Sequence, residues 1–257
     1  MNQENLILVT NDDGINAKGL KALIEVVKTF GKVIVVAPAT PQSGMSHAIT
    51  VRSPLRIEFI DKSENVEIYC CNGTPVDCVK LAFSTVLSQK PDLLVSGINH
   101  GSNASTSIFY SGTMGAALEG CINFVPSIGF SLLSTHPDAD FTASQIYSEI
   151  IIKKVLEYGL DDLVCLNVNI PDVSYNEIKG IKIVRQTKGY WKEEFDCRLD
   201  PEGKEYYWLK GKFYNIEPDA TDTDEWALKN NYVSIVPINI DLTCYQTLTK
   251  IKRWEQN

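Results

Sequence analysis

An apolar run, Leu6-Ile7-Leu8-Val9-Thr10, ends on Asn11, two adjacent carboxylates (Asp12 and Asp13) and Gly14. Helical spacing at Ala17, Leu20, Leu23, Ile24 and Val27 follows at once. A strand apolar on both faces must be covered on both, which is the condition of a parallel sheet flanked by helices. Carboxylates at the C-terminal edge of such a strand lie where open α/β sheets bind ligands. Two neighbouring anions repel one another and are costly to desolvate, so the pair calls for a cation. An all-oxygen site suits Mg²⁺ or Mn²⁺ better than Zn²⁺. Asn-Asp-Asp-Gly is equally good turn and N-cap chemistry, so the motif alone leaves both readings open.

The same alternation of strand and helix continues. Val33 to Ala37 is a second buried strand stopped by Pro38, and Val66 to Cys70 a shorter one. Gly73-Thr74-Pro75 is a helix start signal before the spacing of Val76 to Leu87. Asp92 to Gly97, Ser127 to Ser131 and Leu163 to Val168 are further strands. Helices are expected from near Thr113 and through Ile146, Ile150, Ile151 and Val155. The pattern predicts a Rossmann-like α/β core over residues 1–170, a mostly parallel sheet with helices on both faces.

Residues 171–257 have a different texture. Ile181 to Val184 alternates, and Tyr190, Trp191, Phe195, Tyr206, Tyr207, Trp208, Phe213 and Tyr214 crowd into a polar background. Antiparallel hairpins are expected there, with too many aromatics to bury locally. A subunit interface is one way to cover them; a satellite core folded back on the main domain is the other. Tyr232 to Ile238 reads as a late strand that can return to the main sheet.

Net charge is −8 with no basic block, which argues against duplex nucleic acid or an anionic membrane as the main partner. A small phosphorylated substrate is compatible with that charge if a metal supplies the local positive potential. Seven cysteines without a CxxC pair lie mostly in apolar runs, as free thiols in a reducing compartment do. Met1 to Asn5 lacks a basic n-region, and no apolar stretch approaches the ~20 residues of a membrane span, so a cytoplasmic location is expected.

Three more loops fall at the same sheet edge. In the first, Ala37 to His47, Ser43 can offer a hydroxyl to a metal and His47 can touch a phosphate; it also reads as an ordinary Pro/Gly/Ser connection. In the second, Ser96 to Asn103, Asn99 is a neutral oxygen ligand and Asn103 can orient its neighbours. Gly97 and Gly101 there permit close backbone approach, while His100 is either an acid–base group or a surface residue. In the third, Ser111-Gly112-Thr113 at a helix start makes either a phosphate cradle or plain N-caps. Carboxylates, hydroxyls, a carboxamide and an anion cradle converging from several loops suit metal-assisted phosphoryl hydrolysis.

Taken together, these segments resemble the SurE (survival protein E) family of metal-dependent nucleotidases. The resemblance rests on Asn11-Asp12-Asp13-Gly14, Gln42-Ser43-Gly44, Ser46-His47, Gly73-Thr74-Pro75, Ser96-Gly97-Ile98-Asn99, Gly101, Asn103, Tyr110-Ser111-Gly112-Thr113 and Glu119-Gly120. It implies a 5′-nucleotidase acting on nucleoside monophosphates, with 3′-nucleotidase and exopolyphosphatase activity left open. It further implies that Asp12, Asp13, Ser43 and Asn99 hold a divalent cation, and that the C-terminal part exchanges between subunits of a homodimer or homotetramer.

On this reading Asp12 or Asp13 orients or deprotonates the attacking water. Ser111, Gly112 and Thr113 hold the non-bridging phosphate oxygens, and Asn103 helps position the phosphate. A haloacid-dehalogenase-type phosphatase needs two aspartates separated by one residue. That spacing falls on Asn11 and Asp13 here, and Asn cannot be the nucleophile. A Rossmann oxidoreductase lacks its GxGxxG. A non-catalytic nucleotide- or metal-binding regulator would use the same residues without turnover.

Overall fold

The computed structural model describes residues 4–255. Its first strand, β1 (Asn5–Thr10), is followed by α1 (Lys18–Val27), β2 (Gly31–Pro38), β3 (Ile57–Lys62), β4 (Val66–Cys71) and α2 (Pro75–Leu81). Then come β5 (Leu93–His100), α3 (Gly112–Ile122), β6 (Ser127–Leu132), α4 (Thr142–Tyr158) and β7 (Val164–Ile170). The remainder is β8 (Ile181–Ile183), β9 (Gly189–Leu199), β10 (Glu205–Asn215), α5 (Asp224–Lys229), β11 (Val233–Asn239) and α6 (Tyr245–Ile251). Among these, no helix is long and apolar enough to cross a membrane.

Nine strands form one sheet in the order β3-β4-β2-β1-β5-β6-β7-β11-β8. From β4 to β7 every pairing is parallel. β1 is flanked by β2 on one side and β5 on the other, so the chain order reverses at β1. Such a switch point opens a crevice at the carboxyl ends of the strands.

Period-two alternation distributes the apolar residues of β1 to two cores. Ile7 and Val9 pack with Leu20, Leu23 and Ile151 beneath α1 and α4. Leu6 and Leu8 pack with Val79, Ala82 and Ala116 beneath α2 and α3. α2 starts with a reciprocal cap: the Asp77 amide donates to Thr74 Oγ1 (3.1 Å) and the Thr74 amide to Asp77 Oδ2 (2.9 Å). The helical spacing beyond Leu81 continues as a wider π-type turn, Ala82–Val86.

One local reading needs revision. Ile181–Ile183 belongs to no hairpin: β8 is the sheet's edge strand, parallel to β11, with Ile181 opposite Val233 and Ile183 opposite Ile235. Alternation marks a strand but not its partner, and the partner here comes from far downstream. β3, which has no clear apolar face, pairs antiparallel with β4 at the other edge and is exposed along most of its length.

β11 lies antiparallel to β7 inside the main sheet. β9 and β10 form a separate antiparallel hairpin in continuous register from Gly189–Asn215 to Leu199–Glu205. Phe195, Tyr207, Trp208 and Leu209 on it are exposed.

Candidate active site

The turn after β1 is built by Asn11, whose side chain donates to the Gly14 carbonyl (3.0 Å). Gly14 has φ +94°, a conformation L side chains rarely adopt, so glycine is required to end this turn. Asp12 is thereby turned inward and is only 3 % exposed. Its carbonyl accepts the Gln42 amide (2.7 Å), which docks the loop after β2 and sets the exposed Ser43 next to the aspartate turn.

Two further loops reach the carboxylates. The Thr113 hydroxyl, in the first turn of α3, donates to Asp12 Oδ1. A methyl on Gly112 would lie 2.8 Å from Asp12 Cβ, so only glycine lets the helix start come this close. From the end of β5, the His100 amide donates to Asp13 Oδ2 (3.1 Å). Asn99 donates its side-chain N–H to the Gly101 carbonyl (2.9 Å), which leaves its Oδ1 as an acceptor.

The electrostatics are those of an uncompensated pair. Burial pushes Asp12 up to about 6; the Thr113 hydroxyl opposes this and neighbouring Asp13 adds to it. Burial also raises Asp13, with the His100 amide working against it. The ion pairs among the described residues use other carboxylates. No group of three or more His, Cys, Asp and Glu side chains is placed to hold a metal among the described residues. Two hard carboxylates, a carboxamide oxygen and a hydroxyl without a basic side chain nonetheless fit a hard divalent cation.

Ser111 is the N-cap of α3: its Oγ accepts the Met114 amide (3.0 Å) and keeps its own O–H free to donate. The first N–H groups of this eleven-residue helix have no intrahelical acceptor. Asn103 sits in a buried polar network. Its amide donates to Asn169 Oδ1 (2.8 Å), its carbonyl accepts from Asn167 Nδ2 (2.8 Å), and its Nδ2 donates to Ser131 Oγ (2.6 Å). One side-chain N–H of Asn103 remains for another acceptor.

The two loop histidines are held elsewhere. His47 Nε2 lies 3.0 Å from Glu119 Oε2, and Lys80 Nζ is 2.7 Å from the other oxygen of Glu119. Burial would raise Glu119, but the His47 and Lys80 contacts prevail and hold it below the usual carboxylate range. The His100 ring packs edge-on against Phe141, with centroids 5.1 Å apart. A cleft of about 780 Å³ beside Ser111 and His47 is lined largely by apolar side chains and does not include Asp12 or Asp13. The candidate site at the sheet edge is defined by these carboxylates, which lie outside that cleft.

Sequence reasoning missed the amides of Gln42 and His100, because backbone donors carry no residue signature. It also missed Asn167 and Asn169, although two asparagines on one face of a buried strand need partners and were a visible signal.

Comparison with known proteins places this geometry among relatives. The family model described as Survival protein SurE matches residues 7–193. A protein of Flavobacterium psychrophilum named 5′-nucleotidase SurE is 52% identical over 98% of both chains. One of the same name from Phocaeicola vulgatus is 48% identical over 97% of this chain and 96% of the relative. The crystal structure of the SurE protein from Aquifex aeolicus superposes with a TM-score of 0.84 at 41% identity, covering 98% of this chain and all of the other.

Proposed function

The chain belongs to the survival protein SurE family, and from that premise we propose that it is a metal-dependent 5′-nucleotidase converting nucleoside monophosphates to nucleoside and phosphate. The observation that carries this reading is the uncompensated Asp12–Asp13 pair at the sheet's switch point, against the N-terminus of α3. A haloacid-dehalogenase-type mechanism is not favoured, since Asn11 stands where its nucleophile would be.

Asp12, Asp13, Asn99 Oδ1 and the Ser43 hydroxyl would hold the cation, with Mg²⁺ or Mn²⁺ the ions suited to such oxygens. Once bound, the cation supplies charge neutralisation on the phosphoryl oxygens and acidifies the attacking water. Asp12 or Asp13 orients that water or takes its proton. The Ser111 hydroxyl and the amides of Gly112 and Thr113 receive the non-bridging oxygens, where negative charge accumulates during transfer. The remaining Asn103 N–H fixes the phosphate against rotation.

The exposed aromatics of the β9–β10 hairpin support a homodimer or homotetramer. All seven cysteines are free, which supports a reducing, cytoplasmic location.

Phosphate release from a panel of nucleoside 5′- and 3′-monophosphates, with EDTA and with Mg²⁺ or Mn²⁺ added back, tests the reading. Metal-dependent release from 5′-monophosphates is expected. Failure to cleave any of them in either metal would refute it.

A further inference from the structure

We infer that Asp224, together with Thr187, is a positioning residue for the reaction: it fixes the loop that presents Asn103 and ties that loop to the base of the β9–β10 hairpin. The inference rests on Asn103 acting on the phosphate, as proposed above.

Two of the points that hold the loop between β5 and α3 are Asn103 and Ser105. Asn103 is clasped by Asn167, Asn169 and Ser131, all from the core sheet. The second point is Ser105, a non-glycine residue at φ +52°, a conformation that persists only when its surroundings impose it. All of its polar groups are taken by the C-terminal region. Its amide donates to Asp224 Oδ2 (2.7 Å), its hydroxyl to the Thr187 carbonyl (2.9 Å), and its carbonyl accepts from Gln186 Nε2 (3.0 Å).

Asp224 is fully buried, yet among the described residues it pairs with no cation. Beyond the Ser105 amide it accepts the Thr187 amide (2.9 Å), the Thr187 hydroxyl (2.5 Å) and the Glu225 amide (2.8 Å). A buried anion satisfied only by N–H and O–H donors holds each of them more firmly than a neutral acceptor would. Thr187 stands two residues before Gly189, where β9 begins. The hairpin base, the buried carboxylate and the loop carrying Asn103 are therefore one hydrogen-bonded unit. A force that moves the hairpin reaches Asn103 through Thr187, Asp224 and Ser105.

Asp224→Asn tests this in the full chain. Asparagine keeps one acceptor oxygen, and the side with three donors claims it. The new NH₂ group then opposes the Ser105 amide, so the variant breaks the clamp at the loop while keeping the Thr187 side. Turnover of a nucleoside monophosphate is expected to fall about tenfold or more, the loss typical of a charged hydrogen bond. Mn²⁺ affinity should stay within about twofold, because Asp12 and Asp13 lie outside the unit. Amide exchange over residues 103–107 should accelerate while that of β1 does not. Thr187→Val, which deletes only the hydroxyl, should act in the same direction, and Thr187→Ser should restore turnover; this pair decides the matter if Asp224→Asn does not fold. Wild-type turnover and wild-type loop exchange in Asp224→Asn, or in Thr187→Val, would overturn the inference. So would a lowered melting temperature with unchanged turnover of the folded enzyme. If the wild-type chain cleaves no nucleoside monophosphate, the functional reading fails instead, and exchange alone still decides whether the clamp exists.

Discussion

The hydroxyl of Thr113 donates to the carboxylate of Asp12 across 101 residues of sequence. The contact joins the start of α3 to the end of β1, so one threonine belongs both to the helix terminus proposed to hold phosphate and to the carboxylate proposed to hold the metal. Thr113→Val keeps the shape and deletes the donor. Asp12 then loses the one side-chain hydrogen bond that lowers its pKa. Metal affinity should fall about 10–100-fold, the usual consequence of removing a ligand's supporting contact. Thr113→Ser should recover most of it. Isothermal titration with Mn²⁺ reads the difference, and unchanged affinity in the valine variant would separate Thr113 from the metal site.

Asp12→Asn and Asp13→Asn should each lower metal-dependent turnover by more than about 100-fold, beyond the effect of supporting residues. Each keeps side-chain volume, so circular dichroism should be unaltered. Steady-state phosphate release at saturating Mn²⁺ measures the loss; a variant that retains wild-type turnover is not an essential ligand.

Ionisation of Asp12 also makes the metal-free protein pH-sensitive. Its folded value, about 6, lies above the ordinary 3.8, so the folded state binds the proton more tightly than the unfolded state. The resulting stability is fully present below pH 3.8 and is lost as pH rises through about 6. The loss is on the order of 3 kcal/mol. Urea unfolding in EDTA between pH 4.5 and 7.5 should show the wild type falling relative to Asp12→Asn over this window. Parallel curves would mean that Asp12 is not the titrating group. In the wild type, metal binding near pH 5 should release a proton that is not released near pH 7.5.

Ser111→Ala removes the hydroxyl proposed to donate to phosphate and the N-cap acceptor for Met114. kcat/KM should fall about 10–150-fold, equivalent to about 1.5–3 kcal/mol, and stability by about 1 kcal/mol. Mn²⁺ affinity should not change. A stability loss without a kinetic one would leave Ser111 with capping alone.

Tyr207 and Trp208 stand opposite Cys197 and Asp196 on the hairpin and are each more than half exposed. Covering such surface contributes roughly 25 cal/mol per Å². Replacing both with Ser should lower the oligomeric state seen by light scattering before it alters Mn²⁺ affinity. A monomeric wild-type protein at micromolar concentration would remove the interface role.

The β1 run, its two carboxylates and the helix after it were legible because each signal is local. Apolar runs without alternation mark strands buried on both faces, and Asn-Asp-Asp-Gly marks the turn that ends one. The alternation of such units also determined that the carboxylates, Asn99 and the Ser111 loop would share a sheet edge, since parallel connections return every strand in the same direction. The partner of each side chain was left to the tertiary structure. That Thr113 reaches Asp12, that His47 is engaged by Glu119, and that Ile181–Ile183 joins β11 instead of a hairpin depend on register and helix docking between distant segments. Asp224 is the extreme case. In sequence it is one acid among several after Thr221; in the fold it is a buried anion fastened to an amide 119 residues away. Spacing along the chain specifies which face a residue occupies, whereas hydrogen bonds between far segments exist only once packing has brought those faces together.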